Sequence, residues 1–399
     1  MIALLILGGD CMRKLFSIMF SAVLLLLVSA PGTWAQHVKV YDLGHYPSGT
    51  WAELHAINDF GVAVGKGDVA GDQRMIGIPL FGPNAGNWFE SGVSSSVVDE
   101  LLPAISNTGM IAGTITGDNG YPEAYAWLPN HGGFHLGTLP GGYASYAYAI
   151  NHLGTLIVGQ SFRGLPPGPS TIGTAVVWTS RVNWTDGRPT LAWEIHALPT
   201  GGLEKPGVVF DGVTLRFWGG WGVNDSGQIA GEGYEYNAET GEWWEVGVVW
   251  NPIKNGTQWE MQRLPTPADF PYTEPLAINN LGEIVGDVWG SAAAPVLWKK
   301  DSRNGGTWEV TVLPTLNSTP MWDIAWGIND AGDIVGTCYD PNWVPHATRW
   351  NAHAPLSPVQ AIGFPGDWSV AYGVNNSGVA VGGYGIGSNS EQAVAMKLH

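Results

Sequence analysis

The sequence has 399 residues, of which only 13% are charged, and its formal net charge is -17. This acidic balance disfavours nucleic acid and anionic membranes as partners. The chain contains 57 glycines and 21 tryptophans but only 17 Lys and Arg residues in total. Such a composition favours short strands and tight turns over long amphipathic helices.

The first 35 residues differ from the rest of the chain. Arg13 and Lys14 precede an apolar run from Leu15 to Val28, and a stretch of small residues ends at Ala35. This pattern is typical of a secretory signal peptide, with cleavage expected before Gln36. An uncleaved membrane anchor is the alternative, but the apolar run is shorter than the ~20 residues that a spanning helix needs. We therefore expect a soluble mature chain in the periplasm or outside the cell.

The two cysteines fall on different sides of the expected cleavage site. Cys11 lies in or before the leader, next to Met12, which is a candidate for the true initiator. The mature chain then keeps Cys338 alone, so an intrachain disulfide is excluded. A chain of this length is expected to bury a large core without one, and Cys338 is expected to be a small buried residue.

One short motif occurs seven times along the mature sequence. Each copy contains Ala or Gly, Ile or Val, Asn, two variable residues and Gly, except that Ser106 replaces Asn in the second copy. The copies begin at residues 56, 104, 149, 222, 277, 327 and 373, so the spacings are 48, 45, 73, 55, 50 and 46 residues. The Asn side chain is suited to bond the backbone two residues on, and Gly supplies the positive φ of a tight reversal. The motif predicts a hairpin, repeated at the length of a propeller blade.

Three further strands accompany each turn. A short apolar strand follows the motif and ends in glycine: Gly65, Gly113, Gly159, Gly231, Gly286, Gly336 and Gly382. A third strand ends in tryptophan in most repeats: Trp127, Trp178, Trp250, Trp298 and Trp350. A fourth strand ends in Leu-Pro in several repeats, as at Leu139-Pro140. Four strands per repeat predict one propeller blade each, with the third-strand tryptophans in the core.

The two ends of the mature sequence complement each other. The last repeat stops after its third strand, Ala393 to Leu398, while an unassigned strand from Val38 to Leu43 opens the mature chain. If this strand completes the last blade, the ring closes and no sheet edge is left open, whereas a linear solenoid would expose both half-blades. We therefore predict a single all-β domain over residues 36–399, a seven-bladed β-propeller closed by its N-terminal strand.

This repeat resembles the HAF family of bacterial extracellular repeat proteins, whose signature is an Ala-x-Ile-Asn-x-x-Gly-x-Ile-Val-Gly core followed by an Ala-x-x-Trp strand. The resemblance covers essentially the whole mature chain. It implies export and a propeller-like fold but no common reaction. The chain departs from the signature at Ser106 and in the strand from Thr155 to Val158, which is one residue longer than its counterparts.

Strand order places the motif turns on one face of the ring and the more variable loops on the other, where binding is expected. The longest spacing comes from extra residues at Ser180–Trp193 and Leu203–Trp218, and the second of these lies on the variable face. Aromatic residues precede the innermost strands on that face. The candidates for substrate binding are Trp51, Tyr146, Trp218, Trp221, Tyr272, Trp322, Trp326, Trp368 and Tyr372.

Carboxylates lie beside these rings. Glu53 and Glu274 both stand three residues before the motif, and Asp323 stands one residue from that position, so these three are the candidate catalytic residues. Rings that stack on sugar C–H faces, beside carboxylates that accept hydroxyl hydrogen bonds, suit a neutral glycan. The alternative for each aromatic residue is packing between blades, and for each carboxylate it is a solvated loop position.

Two classes of function remain. The first is a glycoside hydrolase that uses two carboxylates at the mouth of the ring as general acid and as nucleophile or base. The second is a non-catalytic module that binds glycans or proteins with the same surface, since the fold supports both. The sequence contains no nucleophile elbow, metal-binding helix, phosphate loop or EF-hand pattern. We expect no cofactor, no metal and a monomer.

Overall fold

Seven four-stranded antiparallel sheets contain all the regular elements in the described part of the chain. The structure is a computed structural model that describes residues 39–94, 103–129, 131–163, 172–185, 188–201, 218–237, 242–253, 256–301, 306–387 and 391–399. Val40–Leu398 make up one compact unit. The expected signal peptide and most of the Leu203–Trp218 loop lie outside the described residues. Within them, no helix has the length and apolar character needed to cross a membrane.

The blades follow each other in chain order, each running from its innermost to its outermost strand. Blade 1 comprises β2 (Ala52–Ile57), β3 (Val62–Val69), β4 (Asp72–Pro79) and β5 (Phe89–Ser94). Blade 2 comprises β6 (Ala104–Ile105), β7 (Ile111–Thr116), β8 (Pro122–Leu128) and β9 (Gly132–His135). Blade 3 comprises β10 (Gly142–Ile150), β11 (Leu156–Arg163), β12 (Ile172–Thr185) and β13 (Arg188–Ala197). Blade 4 comprises β14 (Gly219–Val223), β15 (Ile229–Asn237), β16 (Glu242–Ile253) and β17 (Gln258–Arg263).

The remaining three blades complete the ring. Blade 5 comprises β18 (Tyr272–Ile278), β19 (Ile284–Trp289), β20 (Ala293–Asp301) and β21 (Thr307–Val312). Blade 6 comprises β22 (Ile324–Ile328), β23 (Asp333–Tyr339), β24 (Pro345–Asn351) and β25 (Gln360–Ala361). Blade 7 comprises β26 (Trp368–Val374), β27 (Val379–Gly385), β28 (Glu391–Lys397) and the N-terminal strand β1 (Val40–Gly44).

The N-terminal strand closes the ring as the sequence predicts. β1 pairs antiparallel with β28, with Tyr41 opposite Ala395, and supplies the outermost strand of blade 7. The predicted all-β seven-bladed propeller is therefore confirmed. In blade 3 the extra residues at Ser180–Trp193 lengthen β12 and β13 into a long hairpin, because their backbones stay paired from Val176 to Thr185.

Each motif turn is held by its own asparagine and glycine. In blade 1, Asn58 Oδ1 accepts hydrogen bonds from the backbone N–H groups of Phe60 and Val62, at 3.1 and 2.9 Å. All seven motif glycines have positive φ, between 68° at Gly378 and 83° at Gly109. The turn chemistry expected from the sequence is thus present, and it frees the Asn amide nitrogen for a second role.

That nitrogen links neighbouring blades. In five blades the Asn Nδ2 donates to the backbone carbonyl at the equivalent position of the next blade, at 2.8–3.1 Å. The donors are Asn58, Asn224, Asn279, Asn329 and Asn375. Asn375 donates to the carbonyl of Asn58 and so joins blade 7 to blade 1. The repeated asparagine therefore fastens the ring as well as each turn.

We expect Asn375→Asp to destabilise the ring far more than Asn151→Asp. Asn375 Nδ2 donates to a carbonyl that cannot reverse its role, so a carboxylate oxygen would face the carbonyl oxygen of Asn58. Asn151 is equally buried, but its Nδ2 donates to the Thr155 hydroxyl at 3.1 Å, and a hydroxyl is also a donor. Urea unfolding should show a free energy of unfolding lower by about 2 kcal/mol in Asn375→Asp than in Asn151→Asp. Equal losses would contradict the inter-blade role of the amide.

The third-strand tryptophans also join blades. The indole N–H groups of Trp178, Trp250, Trp298 and Trp350 donate to carbonyls at the end of the preceding blade, at 2.7–2.9 Å. Trp178, Trp250 and Trp298 are fully buried and Trp350 nearly so. The prediction that the third-strand tryptophans belong to the core is confirmed for these four, because they fill the space between sheets and satisfy the carbonyls near each Leu-Pro. Trp127 of blade 2 is only partly buried and packs against the core from outside.

Candidate functional site

A cavity of about 550 Å³ lies on the axis of the ring, lined by the innermost strands of all seven blades. One residue per blade, directly before the motif, contributes to its wall. We call these seven residues the axial ring: His55, Pro103, Tyr148, Trp221, Leu276, Trp326 and Tyr372. The cavity also reaches the motif residues themselves, such as Ile57 and Ile150. The cavity therefore extends along the axis toward the motif turns and is not confined to the variable face, where the sequence predicts binding.

A β-bulge presents the axial ring to the cavity. In six of the seven innermost strands, the pairing with the second strand shifts by one residue just before the motif. In blade 1, for example, Leu54 lies opposite Gly65 and Ala56 opposite Val64, so His55 is the extra residue. Bulges commonly re-aim a side chain near a functional site. The repeated bulge explains why this one position faces the axis.

The bulge also explains the glycine at the end of each second strand. A Cβ on Gly65 would lie 1.9 Å from the carbonyl oxygen of Glu53, and one on Gly382 would lie 1.9 Å from that of Val370. The equivalent glycines of blades 3, 4, 5 and 6 meet the same carbonyl at 1.9–2.1 Å. Only glycine leaves room for this close approach.

Glu53 lies in a cationic corner of the cavity wall. Its Oε1 is 3.0 Å from both His55 Nε2 and Lys66 Nζ, and its Oε2 accepts a hydrogen bond from the Tyr372 hydroxyl at 3.4 Å. Lys66 is its cross-strand neighbour on β3. Burial alone would raise the pKa of Glu53, but the hydrogen bond from His55 and the charge of Lys66 lower it well below the usual value.

Glu391, on β28 of blade 7, is a second carboxyl group next to Glu53. Burial, and then the charge of Glu53, raise the pKa of Glu391 to about 8. Burial also lowers the pKa of His55, so this imidazole is neutral near pH 7. The corner therefore holds one ionised carboxylate, one protonated carboxyl group and one ammonium group.

A group of four carboxylates lies between blades 4 and 5. This acidic cluster consists of Glu232 on β15, Glu245 on β16, Glu274 on β18 and Asp287 on β19. Oxygens of the three glutamates all lie within 4.8 Å of one another, and Asp287 is the cross-strand neighbour of Glu274. Glu274 lines the axial cavity, and the other three do not.

Burial raises the pKa of every member of the acidic cluster, and repulsion by neighbouring carboxylates adds to this in three of them. Burial raises the pKa of Glu274, and burial followed by the charges of neighbouring carboxylates raises those of Glu232 and Asp287 well above their usual values. The pKa of Glu245 rises to about 7, mainly through burial and then the charge of Glu274. The cavity thus carries carboxylates in two opposite electrostatic settings.

Five of the twelve candidate site residues meet in the cavity. Glu53, Glu274, Trp221, Trp326 and Tyr372 all line it. Blades 1 and 5 are separated by blades 6 and 7 in one direction round the ring, which places Glu53 and Glu274 on opposite walls. The two glutamates have the same offset from the motif, and at that position of their respective blades both side chains reach the cavity.

Asp323 occupies a structural position away from this wall. It is fully buried, and its two carboxylate oxygens accept hydrogen bonds from the backbone N–H groups of Tyr339 and Met321, at 2.8 and 3.0 Å. It holds the loop before β22 against the end of β23 and does not line the cavity. The structure therefore gives Asp323 no access to a ligand in the cavity.

The other aromatic candidates lie outside the cavity wall. Trp218 is 1% exposed and packs on Gly233, while Tyr272 stacks on Trp289 with ring centroids 4.1 Å apart. Tyr146 stacks on Tyr148, a member of the axial ring, with centroids 6.3 Å apart. The remaining three, none of which lines the cavity, are Trp51, Trp322 and Trp368.

Sequence reasoning missed His55, Lys66, Glu245 and Glu391. A signal for the first two was present: His55 directly precedes the motif, as the aromatic axial-ring residues do, and Lys66 directly follows the second-strand glycine. Glu232 and Asp287 follow the equivalent glycines of blades 4 and 5. Glu245 and Glu391 lie on third strands, whose distance from the motif varies, so no fixed spacing marked them.

Comparisons with known proteins support the fold class. The β-propeller domain of the Trilobed protease from Pyrococcus furiosus, described as having an open velcro topology, aligns with a TM-score of 0.53 and 11% identity, covering 88% of this chain and 96% of that one. The acylaminoacyl peptidase from Pyrococcus horikoshii gives 0.51 and 12%, covering 86% of this chain and 50% of that one, so this chain spans half of that peptidase. No protein-family model and no curated protein matches the sequence.

These similarities define the class of protein as a seven-bladed β-propeller. A sialidase from Trypanosoma rangeli, in complex with sialic acid, aligns with a TM-score of only 0.46 and 13% identity, covering 91% of this chain and 59% of that one. At such identities the comparisons show the fold alone. This fold occurs with many functions, so it does not by itself define one.

Proposed function

We propose that this protein is a carbohydrate-active enzyme that cleaves glycosidic bonds in its axial cavity. The observation that carries the proposal is the meeting of Glu53 and Glu274 on the wall of one cavity, together with ring side chains from four blades. Two carboxyl groups on either side of a bound sugar are the usual requirement of a glycoside hydrolase.

The aromatic part of the wall suits a sugar. Tyr148 and Trp221 stack with ring centroids 4.2 Å apart, and Trp326 meets Tyr372 edge to face at 5.6 Å. Within each pair, the two rings hold each other in place. The exposed edge or face of each ring is therefore a rigid surface for the C–H groups of a pyranose. A volume of about 550 Å³ falls in the range of small-molecule sites.

The two glutamates receive different roles from their positions. Glu53, beside Lys66 and His55, is the ionised group that acts as nucleophile or as the base that activates water. Glu274, on the opposite wall, is the group that we propose to protonate the leaving oxygen. The distance between the two carboxyl groups with substrate bound would decide between a retaining and an inverting reaction.

Hydrolysis of chromogenic glycosides by the purified chain tests this function. A panel of aryl glycosides with different sugars and anomers, assayed alongside aryl esters and peptide anilides, should give turnover on a glycoside only. Binding of the matching free oligosaccharides is measured in parallel by calorimetry. Binding without turnover would assign the cavity to a lectin-like module instead, and turnover on peptides or esters alone would contradict a carbohydrate function.

We further propose that residues 1–35 direct export, that the exported chain is a monomer, and that it belongs to the HAF family. The basic start, apolar run and small residues before Gln36 support export. The seven-fold repeat of the family signature supports the assignment. A neutral glycan outside the cytoplasm is a substrate that fits both the export and the family assignment.

A further inference from the structure

We propose that the acidic cluster between blades 4 and 5 is a binding site for one divalent cation of the calcium type. Glu232, Glu245 and Glu274 each present an oxygen within 4.8 Å of those of the other two. Calcium holds its oxygen ligands at about 2.3–2.6 Å, so ligands on opposite sides of the ion lie about 5 Å apart. The three oxygens are therefore spaced to surround one such ion.

Asp287 supplies an independent observation. Its side chain is 3% exposed, and its Oδ1 is buried without a hydrogen-bond partner. It lies opposite Glu274 in the β18–β19 ladder and interacts electrostatically with both Glu274 and Glu245. An orphaned buried carboxylate oxygen is costly unless a cation satisfies it. Asp287 lies outside the three-oxygen group but borders it, so its unpaired oxygen adds to the negative charge that a bound cation would offset.

In the part of the chain that the structure describes, no cationic side chain pairs with this cluster. Among the described residues, the arginine and the lysine closest to it in sequence are paired elsewhere, Arg263 with Glu235 and Lys299 with Glu283. Within the described ranges, no lysine, arginine or histidine forms an ion pair with any of the four carboxylates. Glu53 differs in this respect, because Lys66 Nζ lies 3.0 Å from its Oε1. A buried group of like charges without a cation is unstable when ionised.

The surroundings are those of a defined site. Trp289 Nε1 and the Tyr234 hydroxyl donate to the two oxygens of Glu245, at 3.1 and 3.4 Å, and so fix its orientation. Such outer partners commonly orient metal ligands. Glu274 borders the axial cavity and gives an ion access from solvent. The donor set contains only oxygen, which favours calcium over zinc or copper.

The site shares Glu274 with the proposed reaction. A cation bound to Glu274 would keep it from protonating a leaving group, so the cation-loaded form is expected to be the inactive form. This consequence rests on the proposed function, but cation binding itself does not.

Terbium luminescence tests the site without any assay of activity. Tb³⁺ substitutes for calcium, and the indole of Trp289, hydrogen-bonded to Glu245, would serve as its antenna. With the full chain we expect saturable emission at one ion per chain, displaced by Ca²⁺, and a rise in Tm of about 2–4 °C with excess Ca²⁺. In Glu245→Gln and in Asp287→Asn, the affinity for Tb³⁺ and the affinity for Ca²⁺ should each fall at least tenfold.

Matched controls decide the outcome. Glu194→Gln removes an exposed carboxylate, paired with Arg181 on the outer part of blade 3, and should leave binding unchanged. Glu245→Gln keeps one acceptor oxygen for Trp289, and its amide nitrogen can donate to the Tyr234 hydroxyl, so it should fold, with a higher Tm than the wild type in chelator. Absence of saturable emission and of any calcium shift up to 10 mM, or emission that survives in both cluster variants, would overturn the site. The luminescence and Tm measurements do not depend on hydrolysis, so a failure of the proposed glycosidase function would leave the test of the cation site valid.

Discussion

Glu53→Gln is expected to reduce kcat/KM by at least a thousandfold on whichever glycoside the wild type cleaves. The substitution keeps the shape of the side chain, with the amide oxygen toward Lys66 and the amide nitrogen able to donate to the Tyr372 hydroxyl, but it removes the negative charge that Lys66 stabilises on the cavity wall. Loss of a positioned acid or base typically costs ~10²–10⁴ in rate. Because the group acts on the reacting atoms, kcat should fall while substrate binding persists.

Two further variants separate chemistry from folding in this test. Glu53→Gln takes one ionic partner from Lys66, so Glu53→Gln combined with Lys66→Met restores neutrality and should recover Tm but not activity. Glu123→Gln, whose partner is the exposed His135, is the control and should retain full activity. Wild-type rates in the folded Glu53→Gln protein would remove Glu53 from the mechanism.

Gly382→Ala is expected to lower the free energy of unfolding by about 3 kcal/mol. The new Cβ would lie 1.9 Å from the carbonyl oxygen of Val370, a backbone atom that cannot rotate away. Relief requires loss of the bulge that places Tyr372 on the axis. The variant should therefore lose stability and also distort the cavity wall, which urea unfolding and near-ultraviolet circular dichroism would report.

Gly363→Ala is the matched control. A Cβ there meets no atom within 4 Å, and its φ lies outside the positive range. Its free energy of unfolding should stay within about 0.5 kcal/mol of the wild type. If both alanine variants proved equally stable, the link between the second-strand glycine and the bulge would be wrong.

The fold was readable from the sequence because its determinants are local and repeated. The hairpin turn depends on one Asn and one Gly, seven copies of the motif count the blades, and the unassigned strand from Val38 to Leu43 indicated the closure. What stayed hidden was the second role of the asparagine. The bond from Asn375 Nδ2 to Asn58 joins residues 317 positions apart, and no pattern within one repeat specifies it.

The candidate site was readable only where an offset from the motif fixes the side-chain direction. Glu53 and Glu274, three residues before the motif, both reach the cavity. Asp323 and Trp218 stand four residues before it, and both are buried away from the axis. Successive residues of a strand point to opposite faces, so one position separates a lining residue from a structural one.

The bulge accounts for most of the remaining error. It turns the residue directly before the motif toward the axis, which made Tyr148 and His55 more central than the residues further upstream. Trp322 illustrates the opposite case, because it stands five residues before the motif and is 48% exposed on the loop before β22. Register alone cannot reveal a bulge without the partner strand.

A crystal structure of Glu53→Gln soaked with the preferred oligosaccharide would show directly where the sugar binds. We expect sugar density in the axial cavity, with a ring against the Tyr148–Trp221 pair and the scissile oxygen between the side chain at position 53 and Glu274. Sugar bound on the outer loops, with the axial cavity empty, would contradict this expectation.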